Sequence, residues 1–92
     1  MTQTLAWSPK EASEYLDYQV NFNNWLNDGE LIVSQDAVAV SGGVVVDRVQ
    51  QSEGSVLMWI AEGTKGQLAH VLVTAETNAG RRNAVDVVLP II

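Results

Sequence analysis

The 92-residue chain is predicted to be all-β: an antiparallel β-sandwich, immunoglobulin-like, with six to seven strands. Three observations lead there. Apolar residues alternate with polar ones along most of the chain, and a period of two places alternate side chains on opposite faces of a strand. All seven glycines fall between the alternating segments, at Gly29, Gly42 and Gly43, Gly54, Gly63 and Gly66, and Gly80. They mark five regularly spaced turns, and short strands joined at such spacing are the pattern of a sandwich.

Taken in order, the opening is the least regular part. Ser8-Pro9-Lys10-Glu11 fits a capping box with proline at the first helical position, so one helical turn over Pro9–Ser13 and an irregular loop are both open. The cleanest strand comes next, with Leu16, Tyr18, Val20 and Phe22 on one face and Asp17, Gln19 and Asn21 on the other. The turn Asn27-Asp28-Gly29-Glu30 leads into Ile32–Val40, and Ser41-Gly42-Gly43 separates that segment from Val44–Val49. Beyond Gly54, Val56, Met58 and Ile60 oppose Leu57 and Trp59. After the Gly63–Gly66 turn, Ala69, Val71, Val73 and Ala75 share a face; past Asn78-Ala79-Gly80, so do Val85, Val87, Leu89 and Ile91. Pro90 has no N–H to give a ladder, so the last strand is an edge strand or ends there. A single domain over 1–92 is expected, with a less regular segment at 1–14.

Composition excludes several classes. At 47% hydrophobic and 17% charged the chain is globular in character and unlike a disordered one. Five Lys+Arg against eleven Asp+Glu leave a net charge of -6, which argues against a partner held through phosphates, so no direct nucleic-acid contact is expected. The absence of cysteine removes disulfide scaffolds, thiolate metal sites and cysteine nucleophiles. The longest apolar runs, Val56–Ala61 and Val87–Ile92, are far shorter than the roughly 20 residues of a membrane helix. The start MTQTLAWSPK carries no basic residue before Lys10 and no apolar stretch. Neither a secretory signal nor a membrane partner is expected, and the cytoplasm of the producing cell is the expected setting.

No set of residues spells out chemistry. His70 is the only histidine and reads as a surface strand residue, since a triad is defined by geometry and one imidazole does not make a zinc site. Asn27-Asp28-Gly29-Glu30 lacks the acid spacing of a calcium loop, and the Gly42-Gly43 and Gly63-Thr64-Lys65-Gly66 turns lack the Walker spacing and a following helix. Catalytic, cofactor and metal residues are therefore expected to be none. The remaining candidates are for protein contact. Arg81-Arg82 is the sole basic doublet, set just after a glycine turn, and is either an interface fork or a solvated hairpin end. Trp59 and Tyr18 are assigned to the core. Trp7 and Trp25 lie in connections, where they cap the sandwich or anchor a partner. Leu89 and Ile91 belong to the apolar tail Val85–Ile92, which is expected to pair with a neighbouring subunit, as an unpaired edge or terminal strand can.

Ordered motifs carry a resemblance. Pro9-x-Glu11, Leu16-Asp17-Tyr18, Trp25-Leu26 and Asp28-Gly29-Glu30-x-Ile32-x-Ser34 are followed by Val56-x-x-Trp59-Ile60-x-x-Gly63-Thr64-x-Gly66, then Val71, Thr77 and Ala79-Gly80-Arg81. From roughly Pro9 to Leu89 the chain resembles the small phage fibre–tail adaptor proteins, β-sandwich structural proteins of tailed bacteriophages. It departs from their usual pattern in a longer spacer at Ala12-Ser13-Glu14-Tyr15, in Glu30 where Asp is usual, in Glu62 where another Gly often stands, and in Ala69 where Tyr is common. Val44–Ser52 carries no recognisable pattern.

The resemblance implies a virion component of the neck or tail, assembled in the host cytoplasm. It would join a connector or tail ring to fibres or neighbouring neck proteins, with copies of itself among its partners, and would be no enzyme. A different class of function, a carbohydrate-binding or adhesion module, would use Trp7 and Trp25 to stack on sugars. A small hydrolase is the third reading, with no nucleophile or base in place.

Overall fold

The computed structural model describes residues 3–92, and among them the only regular elements are strands. These are β1 (Gln3–Ala6), β2 (Leu16–Asn21), β3 (Ile32–Ser41), β4 (Val44–Ser52), β5 (Ser55–Glu62), β6 (Leu68–Thr77) and β7 (Arg82–Pro90). They form two sheets, one of order β1-β7-β6-β3 and one of order β2-β5-β4. All pairings are antiparallel except that of β1 with β7. The expected sandwich is thus observed, with one strand more than the six the periodicity marked out. In the immunoglobulin constant arrangement the first strand joins the second, fifth and fourth. Here it crosses to the other sheet, so the two-layer architecture is shared and that strand pattern is not.

The core lies where the period of two put it. Val56, Met58 and Ile60 of β5, Ala69, Val71, Val73 and Ala75 of β6, and Val85, Val87 and Leu89 of β7 are all buried between the sheets. Each such valine, leucine, isoleucine or methionine side chain withdrawn from water contributes roughly 1.5–3 kcal/mol, before the entropy of ordering the chain is set against it. Ile91, just past β7, is buried with them. Pro90 ends β7, but β7 lies between β1 and β6, so the edge-strand alternative for the last segment is corrected.

Trp59 also differs from its assignment. It alternates with the buried Met58 and Ile60, so it faces outward, half-buried, with the Arg48 guanidinium 4.1 Å from its ring centre. Tyr18 does pack against the core, stacked on Trp7 at 4.4 Å.

Bulges account for the segments without a clear period. The β4–β5 register shifts between Val46 and Arg48. An extra residue reverses the facing of every later position in the strand, which returns Val49 to the interior and sets Arg48 opposite Trp59. β3 has two such shifts, between Ile32 and Ser34 and between Ala39 and Ser41.

The opening takes the loop alternative. Pro9–Ser13 form no helix; Glu14 instead returns its carboxylate to the Glu11 N–H at 2.9 Å, and its own N–H to the Glu11 carbonyl at 3.0 Å. Lys10 makes a single parallel bridge with Ile91, which ties this loop to the chain's end.

Candidate functional site

The two ends of the sandwich are closed differently. One end gathers the β2–β3 loop, the β4–β5 turn and the β6–β7 hairpin. Glu30, which begins β3's approach, is buried there with only 3% of its side chain exposed. Arg81 forks onto it, Nε to Oε2 at 2.9 Å and Nη2 to Oε1 at 2.6 Å. The Thr77 hydroxyl donates to Oε2 at 2.5 Å, and the Asn27 N–H donates to Oε1 at 2.8 Å. Arg81 also donates to the Trp25 carbonyl at 2.7 Å and lies 4.5 Å from the centre of that indole. A carboxylate held by a guanidinium and two further donors keeps its charge easily. The Arg81 fork is the largest cause, followed by Thr77 and Asn27, and together they hold the Glu30 carboxyl at about 2, below its ordinary 4.5.

The other end is closed by a buried lysine. Lys10 is fully buried, and its Nζ donates to the carbonyl oxygens of Glu62 at 2.6 Å, Glu11 at 2.8 Å and Ala12 at 3.4 Å. Burial pushes the Lys10 ammonium below its ordinary value, while Glu14 and Glu62 act in the opposite sense. Beside it, a Cβ on Gly42 would stand 2.4 Å from the Ala69 Cα, so the hop from β3 to β4 can pass there only as glycine, at φ +90.

The sequence candidates fall into four groups. Trp25 and Arg81 meet each other in the Glu30 cluster, and so are turned to internal contacts. Trp7 is half-buried against Tyr18. Arg82 points to solvent, 74% exposed, and pairs with Glu76 across the hairpin at 2.9 Å. Leu89 and Ile91 are corrected: both side chains lie inside this chain's own core, because β7 is a central strand and its apolar face is used within the fold. The tail Val85–Ile92 is therefore not a free apolar strand. The stacking surfaces required of a sugar-binding site are reduced in the same way, since Trp7 and Trp25 are covered by Tyr18 and Arg81.

Two features of the structure carry no signal in the sequence. Lys10 and Glu30 gave no signal of burial, because each is a charged residue in a connecting segment and the partners that enclose it, Glu62 for Lys10 and Thr77 and Arg81 for Glu30, lie far along the chain. The second is the open flank of the sandwich. β3 and β4 are edge strands of the two sheets. Between the start of β3 and the end of β4 lies a groove of ≈ 270 Å³, with Leu26, Leu31 and Val33 as apolar lining and Asn23, Gln51 and Glu53 as polar lining. Leu31, Val33, Val38, Val40 and Val45 are exposed apolar residues of the same two strands or the loop before them. His70 stands on the outer face of β6, 3.5 Å from Asp86. Among the described residues no cluster of His, Cys, Asp and Glu could hold a metal ion.

Comparison with protein families matches residues 10–90 to the model described as podophage GP4 fiber-tail adaptor protein gp77. The chain belongs to this fibre–tail adaptor family. It is thus a structural protein of a phage tail. Comparison with curated proteins finds no match. The motifs that resemble the adaptor family now have a place: Trp25, Glu30, Thr77 and Arg81, from both halves of the chain, converge on one cluster. Such an adaptor acts through contacts with other tail proteins such as fibres.

Proposed function

We propose that the protein is a neck or tail adaptor that links a connector or tail ring to fibres or to neighbouring neck proteins. The observation that carries this reading is the family match over residues 10–90. The physical features agree with it. A small sandwich whose two ends are clamped, by Glu30–Arg81 at one and Lys10 at the other, keeps its shape while other chains pull on its surface. The net charge of -6 turns such a block away from packaged DNA and towards protein neighbours. Copies of itself are among the proposed partners, in a ring assembled in the host cytoplasm, and no chemical step is part of the role.

The experiment is a phage lacking only this gene. Particles should form with filled heads and tails but without fibres, and the purified protein added back should restore fibre attachment. Fibre-bearing, infectious particles made without the protein would overturn the reading.

A further inference from the structure

The free edge of β3 and the groove at its start form one continuous surface. Resting on the adaptor reading, we infer that this surface receives an extended segment of a different tail protein. The segment adds as a strand along Ser34–Ala39 and places a Lys or Arg, with its apolar stem, in the groove.

Three observations support this. The first is the state of the edge. Among the described residues β3 pairs with β6 alone, and the Ala37 N–H donates to the neighbouring Asp36 carboxylate at 2.9 Å. An edge N–H held by a local side chain is available to a stronger backbone acceptor, and main-chain pairing of this kind supplies affinity while pockets supply choice of side chain. The edge carries a single charge, Asp36: Ile32–Ser41 holds no lysine, arginine or proline, and its bulges lie only near the two ends, leaving Ser34–Ala39 regular.

The second is the groove's lining. Leu26, Leu31 and Val33 suit a methylene stem, and the Glu53 carboxylate, which has no cationic partner among the described residues, suits its charged head. Glu30 is also at the groove, but Arg81 already neutralises it.

The third is overall charge. Two copies at -6 each repel, and Asp36 lies near the centre of the pairing stretch, so a like strand would bring carboxylate towards carboxylate. Charge complementarity therefore selects a basic, apolar segment of another protein over a second copy.

The test uses overlapping synthetic peptides of about 12 residues, long enough to lie along the strand, tiled across the fibre and tail-ring proteins of the same phage. Binding to the full chain is read by fluorescence anisotropy, and amide hydrogen exchange is followed at Ser34–Ala39. Ala37→Pro removes the Ala37 N–H and adds a ring at a buried position, a change for which edge strands are the tolerant place; Glu53→Lys reverses the groove's charge. The expected result is a peptide of alternating apolar residues with a Lys or Arg that protects Ser34–Ala39. Ala37→Pro should weaken its binding roughly tenfold or more, and Glu53→Lys should weaken it most at low salt. Thermal melts of both variants confirm folding; if Ala37→Pro fails to fold, Glu53→Lys and the exchange data decide.

No peptide protecting these amides, or binding unchanged by a folded Ala37→Pro, would overturn the inference. So would concentration-dependent self-association that Ala37→Pro abolishes, which would make a second copy the occupant. Loss of the β3 contact with fibre attachment still dependent on the protein would leave the adaptor role standing and remove only this surface.

Discussion

Arg81 grips Glu30 from 51 residues away, with Nη2 to Oε1 at 2.6 Å and Nε to Oε2 at 2.9 Å. The pair joins the β6–β7 hairpin to the loop before β3. It does so where the carboxylate is hidden from water and the guanidinium is 37% exposed. The planar fork of Arg81 is thus used inside the molecule, while part of its side chain stays open to solvent.

The geometry of the fork predicts how substitutions rank. Arg81→Lys should lower the urea midpoint nearly as far as Arg81→Ala, because an ammonium is a point donor and does not span two carboxylate oxygens. A lysine variant as stable as the wild type would mean that charge alone holds the loop.

Acid should release the same clamp. The Glu30 carboxyl is lowered to about 2 from 4.5, so between these values the unfolded chain binds more protons than the folded one. The stabilisation is complete above pH 4.5 and is lost as the pH falls towards 2. Urea midpoints measured across this range should drop for the wild type and drop less for Glu30→Gln. Equal slopes for the two proteins would contradict the assignment.

Lys10 makes a prediction of opposite character. Lys10→Met keeps the stem and removes the donors, leaving the carbonyls of Glu11, Ala12 and Glu62 without this partner. A loss of about 1–3 kcal/mol is expected from buried acceptors left unpaired. Denaturation showing Lys10→Met at wild-type stability would mean that water replaces the ammonium at no cost.

The strands show how much was legible in the sequence. The inner faces of β5, β6 and β7 were readable from the alternation, because a face buried along its whole length repeats at every second position, although the size of Trp59 drew it wrongly to the core. β3 and β4 were readable as strands but not in their facing, because bulges near Val33, Val40 and Asp47 change phase partway. β1 carried too short a pattern to be marked, and it depends on β7 for its pairing. At the candidate site the difficulty was distance. Trp25 and Arg81 could be singled out as unusual residues in turns, but their union through Glu30 is a fact of topology. Leu89 and Ile91 misled because an apolar alternation at a chain end looks the same whether the strand is central or free.

The core position of Leu89 can be measured directly. Leu89→Ala should cost about 2–5 kcal/mol, as large-to-small changes in a packed interior do. Val40→Ala, on an exposed side chain, should stay within about 0.5 kcal/mol. Comparable small effects at both sites would restore Leu89 to the surface.

Glycine positions should separate by crowding. Gly42→Ala would set a Cβ 2.4 Å from the Ala69 Cα, whereas Gly80→Ala meets nothing within 4 Å. Both carry positive φ and both should destabilise, but Gly42→Ala should do so by much more. Equal melting temperatures for the two variants would show that the β3–β4 hop can move aside.

Whether this sandwich joins tail to fibre is visible in an electron cryo-microscopy reconstruction of the intact tail. A seven-stranded, two-sheet density is expected between the tail body and each fibre, touching both. A fibre seated directly on the tail, with no such density between them, would contradict the adaptor role.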